Sequence, residues 1–547
     1  MFRSYFRRNV FAGAFCAALA VALMVAVPAQ AQTFNVIWDA PGGTGPGANL
    51  IGLVLGRDGN YYGSSVYGGA NGRGEVYQLT PAGDYTDVYD FTTSDPQCAY
   101  TPQILGTNGN LYGAGTGCGD GTIFELTTSG TFTVLYTFNG TNGSNPSLAF
   151  QGSNGDLYGV TTSGGANTGG TFFLLTTSGT LKTLYSFANV SGDIWLPEDV
   201  ILGKDGNYYG VTFNSNVDGT AGALFKLTPS GTLSVVHYFT ETPDGANPTA
   251  LMQGSDGNLY GVTQFGGANG DNEGTIYKMT TSGTETILHS VNSSSDGGSN
   301  PTAVLIEGSD GNFYSTMPNC TELGCSNGGN VFEITPAGTY TTLAVLGKSD
   351  GTQPYWGVIQ DPNGTFYGVT DGGGTGACSC GVVFSVSNNL SAFAKLESTS
   401  GREGAKTGIF GRGFGSSSVV KFGGVQATTI ARSGSTFINA IVPAGALTGA
   451  VTVTTGATTL TSWQTFDVSP TFPSFNPTSG VVGTQVTLTG TGLTQTTRVT
   501  FNGKSAAFTV NSDTQVTATV PTGATTGKIK VTTDGGSAAS TTSFTVN

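Results

Sequence analysis

Short runs of alternating apolar and polar residues, separated by turns rich in Gly, Asn and Asp, follow one another along most of the chain. Period-2 alternation in short runs predicts strands with one buried face. The segment 249–291 shows the unit. Thr249–Gln253 reads as strand a and Ser255-Asp256-Gly257-Asn258 as a turn. Leu259–Thr263 is strand b, followed by a long loop from Phe265 to Glu273. Thr275–Thr280 is strand c, Thr281-Ser282-Gly283 a turn, and Glu285–Val291 strand d. Asp-Gly and Asn-Gly supply the positive φ angles of tight hairpins whose twist matches the flanking strands.

The unit recurs seven times. Asp58-Gly-Asn-Tyr-Tyr-Gly63, Asn108-Gly-Asn-Leu-Tyr-Gly113, Asn154-Gly-Asp-Leu-Tyr-Gly159 and Asp205-Gly-Asn-Tyr-Tyr-Gly210 share one motif. Asp256-Gly-Asn-Leu-Tyr-Gly261, Asp310-Gly-Asn-Phe-Tyr-Ser315 and Asn363-Gly-Thr-Phe-Tyr-Gly368 complete the set, at spacings of 50, 46, 51, 51, 54 and 53 residues. Four antiparallel strands repeated at this period predict the blades of a seven-bladed β-propeller over residues 32–391. An extra copy of strand d, Thr33–Trp38, precedes the first unit, and the seventh copy ends at its strand c near Val382–Val386. The first strand is therefore expected to complete the last blade and leave no open edge. An open solenoid of the same units is the competing architecture.

Asp-Gly-Asn-Leu-Tyr-Gly-Val-Thr, Gly-Gly-Ala-Asn and Phe-x-Leu-Thr-x-x-Gly-Thr make these repeats resemble the GloVer-type (Gloeo/Verruco) tandem repeat of bacterial exported proteins. The resemblance covers about two-thirds of the chain. It implies no common biochemical activity.

After Val386 the pattern changes. Thr407-Gly-Ile-Phe-Gly-Arg-Gly-Phe414 with Val420-Lys-Phe-Gly-Gly424 is echoed by Val486-Thr-Leu-Thr-Gly-Thr-Gly-Leu493 with Val499-Thr-Phe-Asn-Gly503. Period-2 strands between Gly-rich turns predict two small antiparallel sandwiches. They resemble IPT/TIG immunoglobulin-like domains at 392–468 and 471–547. That resemblance implies a spacer or a binding module.

The N-terminus reads as a secretory signal peptide over residues 1–31. Arg3, Arg7 and Arg8 precede the apolar run Val10–Val27 and the small-residue site Ala29-Gln30-Ala31. The expected location is secreted, periplasmic or on the cell surface, with no membrane insertion after cleavage. Charge is unevenly spread. Residues 33–391 hold 7 basic and 29 acidic residues (7 − 29 = −22), and residues 392–547 hold 10 basic and 5 acidic (10 − 5 = +5). A surface of −22 repels phosphate, which excludes nucleic acid as a partner.

Candidate chemistry is sparse. His237 and His289 fall where other copies carry Tyr136 and Tyr185, a structural position in strand d. With two His in the chain, nucleophilic triads and His-rich zinc sites are excluded. Asp-Gly-Asn is explained by its turn and lacks the alternating ligands of a calcium loop. No cofactor and no metal is expected. Acids outside the repeat pattern, namely Glu198-Asp199, Glu241, Glu273 and Glu322, keep open a carboxylate-based hydrolase or lyase acting on polysaccharide.

Beyond the signal segment there are six cysteines, an even number that suits disulfides in an exported chain: Cys98, Cys118, Cys320, Cys325, Cys378 and Cys380. Cys98–Cys118 and Cys320–Cys325 are the expected bridges, Cys378–Cys380 is the default third, and a cross-blade link to Cys320 or Cys325 is an alternative. The a–b and c–d turns are nearly uniform between copies, whereas the d–a and b–c loops vary in length and content. Both variable loop types emerge on one face. They gather the off-pattern aromatics Tyr67, Tyr100, Trp195, Phe213, Phe265, Tyr355 and Trp356. This predicts a non-catalytic binding or scaffolding protein that recognises an extracellular glycan or a protein partner through the variable face. A purely structural role in the cell envelope is a third expectation.

Overall fold

The computed structural model describes residues 32–41, 47–93, 95, 103–116, 119–270, 272–318, 328–376 and 378–547. The expected signal segment, Tyr100, Glu322, Cys98, Cys118, Cys320 and Cys325 lie outside them.

Seven four-stranded antiparallel sheets follow one another as blades. Blade 1 consists of strands a to d at Ala48–Leu55, Tyr61–Tyr67, Glu75–Leu79 and Tyr85–Asp90. Blades 2, 3, 5 and 6 repeat this over residues 104–137, 144–188, 246–290 and 306–346. Blade 4 comprises Ile194–Leu202, Tyr208–Ser215, Ala223–Leu227 and Leu233–Tyr238. Blade 7 takes Val358–Gln360, Phe366–Val369 and Val382–Ser387 from the end of the repeat region and Thr33–Asp39 from its beginning. Phe34 pairs with Val386, Val36 with Phe384 and Trp38 with Val383, so the expected closure of the ring is present.

The repeated hexapeptide builds both the turn and the seams between blades. In blade 1 the Asp58 carboxylate accepts the Asn60 N–H at 3.1 Å and the Tyr62 hydroxyl at 2.9 Å, closing the turn on itself. The motif's last glycine lies opposite an aromatic residue of strand c. A Cβ at Gly113 would stand 2.4 Å from Phe124 Cζ, and one at Gly210 2.4 Å from Phe225 Cζ. The Tyr of one copy then packs on the preceding motif position of the next. Tyr260 meets Phe313 and Tyr314 meets Phe366, each with centroids 4.0 Å apart, and Tyr367 meets Tyr61 at 4.4 Å across the closure. The propeller core is accordingly divided into seven apolar clusters, each shared by two neighbouring blades. Burial at every seam drives ring closure.

The C-terminal region forms two sandwiches, each a four-stranded sheet against a five-stranded one with the same strand order. Each has its own core, around Ile409, Phe422 and Phe466 in the first and Val486, Phe501 and Phe544 in the second. The first sandwich is no free stalk. It packs against the a–b turns of blades 7 and 1, where Phe410 and Phe437 join Leu55, Tyr61 and Tyr367 in one cluster. Arg57 pairs with Glu397 at 2.6 Å and stacks over Phe437, and Arg412 pairs with the fully buried carboxylate of Asp361.

The hairpins run further toward the variable face than the sequence suggests. Ala246 pairs with Phe265 and Trp195 with Asn214, so the fifth copy's strand a spans Ala246–Gln253. Tyr67, Trp195, Phe213 and Phe265 thus belong to strands, not loops. The reason is a bulge in strand a, such as that between Pro197 and Asp199, which lets pairing resume beyond the proline. Cys378 and Cys380 form a disulfide. Among the described residues, no helix is long and apolar enough to cross a membrane.

Candidate functional site

The first strands of the blades surround a central channel of about 970 Å³. Its wall is mainly apolar, with Leu148, Phe150, Val200, Leu202, Met252 and Val304 facing the space. Leu202 and Val304 remain 48% and 39% exposed, apolar surface that the fold itself does not bury. Beneath blades 5 to 7, Phe393, Lys395 and Trp463 of the first sandwich border a second cavity of about 290 Å³, and Met252 lines both spaces. Burial there lowers the pKa of Lys395, although the Asp361 carboxylate favours its charge. The variable face is the end of the channel away from this sandwich.

Polar groups enter the wall at a few places. Position by position, blades 3, 5 and 6 carry Ser147, Thr249 and Thr302, then Leu148, Ala250 and Ala303, where blade 4 carries Glu198 and Asp199. The two acids differ in role. Asp199 spans a seam: it accepts the Leu251 N–H of blade 5 at 3.0 Å and its neighbour Val200 N–H at 2.8 Å. Glu198 has no hydrogen bond or ion pair with the described residues. Desolvation raises the pKa of each to about 7, with the Asp199 charge adding to the effect on Glu198 and hydrogen bonds opposing it on Asp199. Among the described residues, no Lys, Arg or His lines the channel.

Tyr355 and Trp356 precede strand a of blade 7 and line the same space. The Trp356 Nε1–H and the Thr302 hydroxyl are buried and have no hydrogen-bond partner among the described residues. The site therefore offers two aromatic side chains and the Glu198 carboxylate within apolar walls, the two unpartnered polar atoms lying behind the wall surface. Of the seven aromatics expected on the variable face, Tyr355 and Trp356 reach the channel. Tyr67 is exposed, and Trp195, Phe213 and Phe265 are half-buried away from it. Glu198 and Asp199 were visible in the sequence as off-pattern acids. Lys395 was not, because its burial arises from the packing of two domains.

The histidines hold loops. His237 Nε2 lies 3.0 Å from Asp244 and His289 Nε2 2.7 Å from Asp296. In other blades Tyr89 donates to Asp95 at 3.0 Å, and Tyr136 pairs with Asn142 at 2.5 Å. The strand-d residue thus latches the following d–a loop in each case.

Comparison with known proteins places the chain. The profile of the Gloeobacter/Verrucomicrobia repeat matches residues 24–212 and 196–437, and the IPT/TIG domain profile matches 470–546. No match is found among curated proteins. Solved structures with a similar course include a gluconolactonase from Xanthomonas campestris (11% identity, 65% of this chain and 89% of that one, TM-score 0.34). A fungal alcohol oxidase of the AA5 family in complex with copper is similar at 12% identity, over 94% of this chain and all of that one, with a TM-score of 0.41. The extracellular domain of a hybrid two-component system from Bacteroides thetaiotaomicron is similar at 10% identity, over 84% of this chain and 58% of that one, with a TM-score of 0.45. Likeness at this level carries no statement about chemistry. The repeats, their period and the profile that spans them make this chain a member of the Gloeobacter/Verrucomicrobia repeat family, with an IPT/TIG domain following them.

Proposed function

We propose that this is an exported binding protein that takes a glycan segment into the channel from the variable face. The observation that carries the reading is the group at the channel wall: Tyr355 and Trp356 together with the Glu198 carboxylate, which has no partner among the described residues. Sugar rings present C–H faces that stack on aromatic rings and hydroxyls that donate to a carboxylate. Export is supported by the signal-like N-terminus and by the Cys378–Cys380 disulfide.

A glycan array followed by titration of the bound glycan tests this. Trp356→Ala and Tyr355→Ala are expected to weaken binding by roughly tenfold or more, the loss typical of a central aromatic contact. Trp195→Ala, away from the channel, is expected to leave it within about twofold. Binding that survives the first two changes and is lost on removing residues 392–547 would move the site to the sandwiches.

Glu198 and Asp199, both with pKa values near 7 in the channel, favour a second reading as a polysaccharide-acting enzyme. Release of reducing ends by the wild type, abolished by Glu198→Gln, would establish it. Binding without turnover would discard it.

A further inference from the structure

Blade 1 gathers three acids, of which Glu75 and Asp87 have no counterpart in its sister blades, while Asp90 has one in Asp39 of blade 7. At the start of strand c, Glu75 stands where blades 2 to 6 have Thr122, Thr171, Ala223, Thr275 and Asn330. In strand d, Asp87 stands where blades 2 to 6 have Val134, Thr183, Val235, Ile287 and Thr342. Asp90, paired with Glu75 across the ladder, completes the group. One carboxylate oxygen from each lies within 4.8 Å of the other two.

The arrangement is unfavourable as it stands. Glu75 is only 1% exposed, and among the described residues its Oε1 has no hydrogen-bond partner. No salt bridge among the described residues involves Glu75, Asp87 or Asp90. The Gly47 N–H favours the Glu75 charge, and the Tyr85 hydroxyl lies near that carboxylate without reaching hydrogen-bond geometry. Asp90 Oδ1 accepts the Ala70 N–H at 2.8 Å, a loop latch with parallels in Ser186 and Ser290. That bond explains Asp90 and leaves its second oxygen available. It explains neither Glu75 nor Asp87. A buried, unpaired charge beside two like charges costs several kcal/mol unless it is neutralised.

We infer that Glu75, Asp87 and Asp90 form a calcium site on the variable face of blade 1. The donors are all oxygen, the choice of a hard cation. Three carboxylates supply three to six ligands, and the exposed side at Asp87 admits the waters that complete an irregular shell. Loop backbone already lies close, since a Cβ on Gly69 would stand 2.2 Å from Asp90 Oδ1 and 3.2 Å from Glu75 Oε2. A bound ion would tie strand c, strand d and the b–c loop of blade 1 together, stiffening one sector of the variable face.

The test is calorimetric titration of the EDTA-stripped full mature chain with calcium chloride, with a thermal melt at each end point. Wild type is expected to bind one calcium equivalent and to melt higher with it. Asp87→Asn, at an exposed position that tolerates the change, should weaken that equivalent by at least about tenfold, since affinity follows ligand charge. Glu75→Gln should abolish both the heat and the melting shift. Absence of calcium binding in wild type, or binding unchanged in Asp87→Asn, overturns the assignment.

Discussion

Gly59 and Gly257 occupy the same place in their hexapeptides and have nearly the same φ, +84° and +82°. Their surroundings differ. A Cβ on Gly257 would meet nothing within 4 Å, whereas one on Gly59 would lie 2.6 Å from Thr436 Cγ2 and 2.8 Å from Arg412 Nη1 of the first sandwich. Gly257→Ala is therefore expected to cost about 1 kcal/mol, the left-handed penalty alone. Gly59→Ala should cost clearly more, because the domain interface must shift as well. Chemical denaturation of both variants decides it; equal losses would mean that the sandwich does not bear on the turn.

Among the elements, the a–b turn of blade 7 carries a buried ion pair to the first sandwich. Asp361 is fully buried and accepts from Tyr61 at 2.8 Å, from the Asn363 N–H at 2.8 Å and from the Arg412 guanidinium. Removing one partner of a buried pair strands the other, so Asp361→Ala is expected to destabilise the protein by about 3–5 kcal/mol. The first sandwich should also become the earlier target of limited proteolysis. A variant as stable and as resistant as wild type would show that the Phe410–Phe437 cluster holds the domain without the ion pair.

For the molecule as a whole, several acids titrate near neutrality. Burial raises the pKa of Glu198, Asp199 and Glu285 to about 7, and burial with the facing Asp513 does the same for Glu403 between the sandwiches. Their unfolded values lie near 4, so between about pH 4 and 7 the folded state holds more protons than the unfolded one. Stability from these groups is present at low pH and is lost as pH rises through 7. Asp205 and Asp256, lowered to about 2 by hydrogen bonds to Asn and Lys against a desolvation cost, act in the opposite sense and lose their contribution only below about pH 4. In EDTA the melting temperature is expected to be highest near pH 5 and to fall by on the order of 5 °C by pH 8. A melting temperature that rises over that interval would contradict the burial of these carboxylates.

The sequence by itself determined the blades, their number and the closing strand. Those features rest on local chemistry repeated seven times: an Asp-Gly or Asn-Gly turn, a Tyr that bonds back to it, and a glycine placed under a cross-strand ring. The structural role of His237 and His289 was legible for the same reason, since each stands in a repeated position, but the acids they hold, Asp244 and Asp296, were not. Off-pattern residues could be seen but not placed. Glu198-Asp199 was visible as an acid pair, yet its position in the channel wall depends on the bulge at Pro197. Trp195 and Trp356 looked alike along the chain, and only the ring brought Trp356 to the cavity. Three matters were decided by tertiary structure alone: the docking of the first sandwich on the a–b turns, the burial of Lys395 and Asp361 beneath it, and the meeting of Glu75, Asp87 and Asp90. Each depends on contacts between residues far apart in the chain or on different strands, and neither period nor composition records which side chains such contacts leave without a partner.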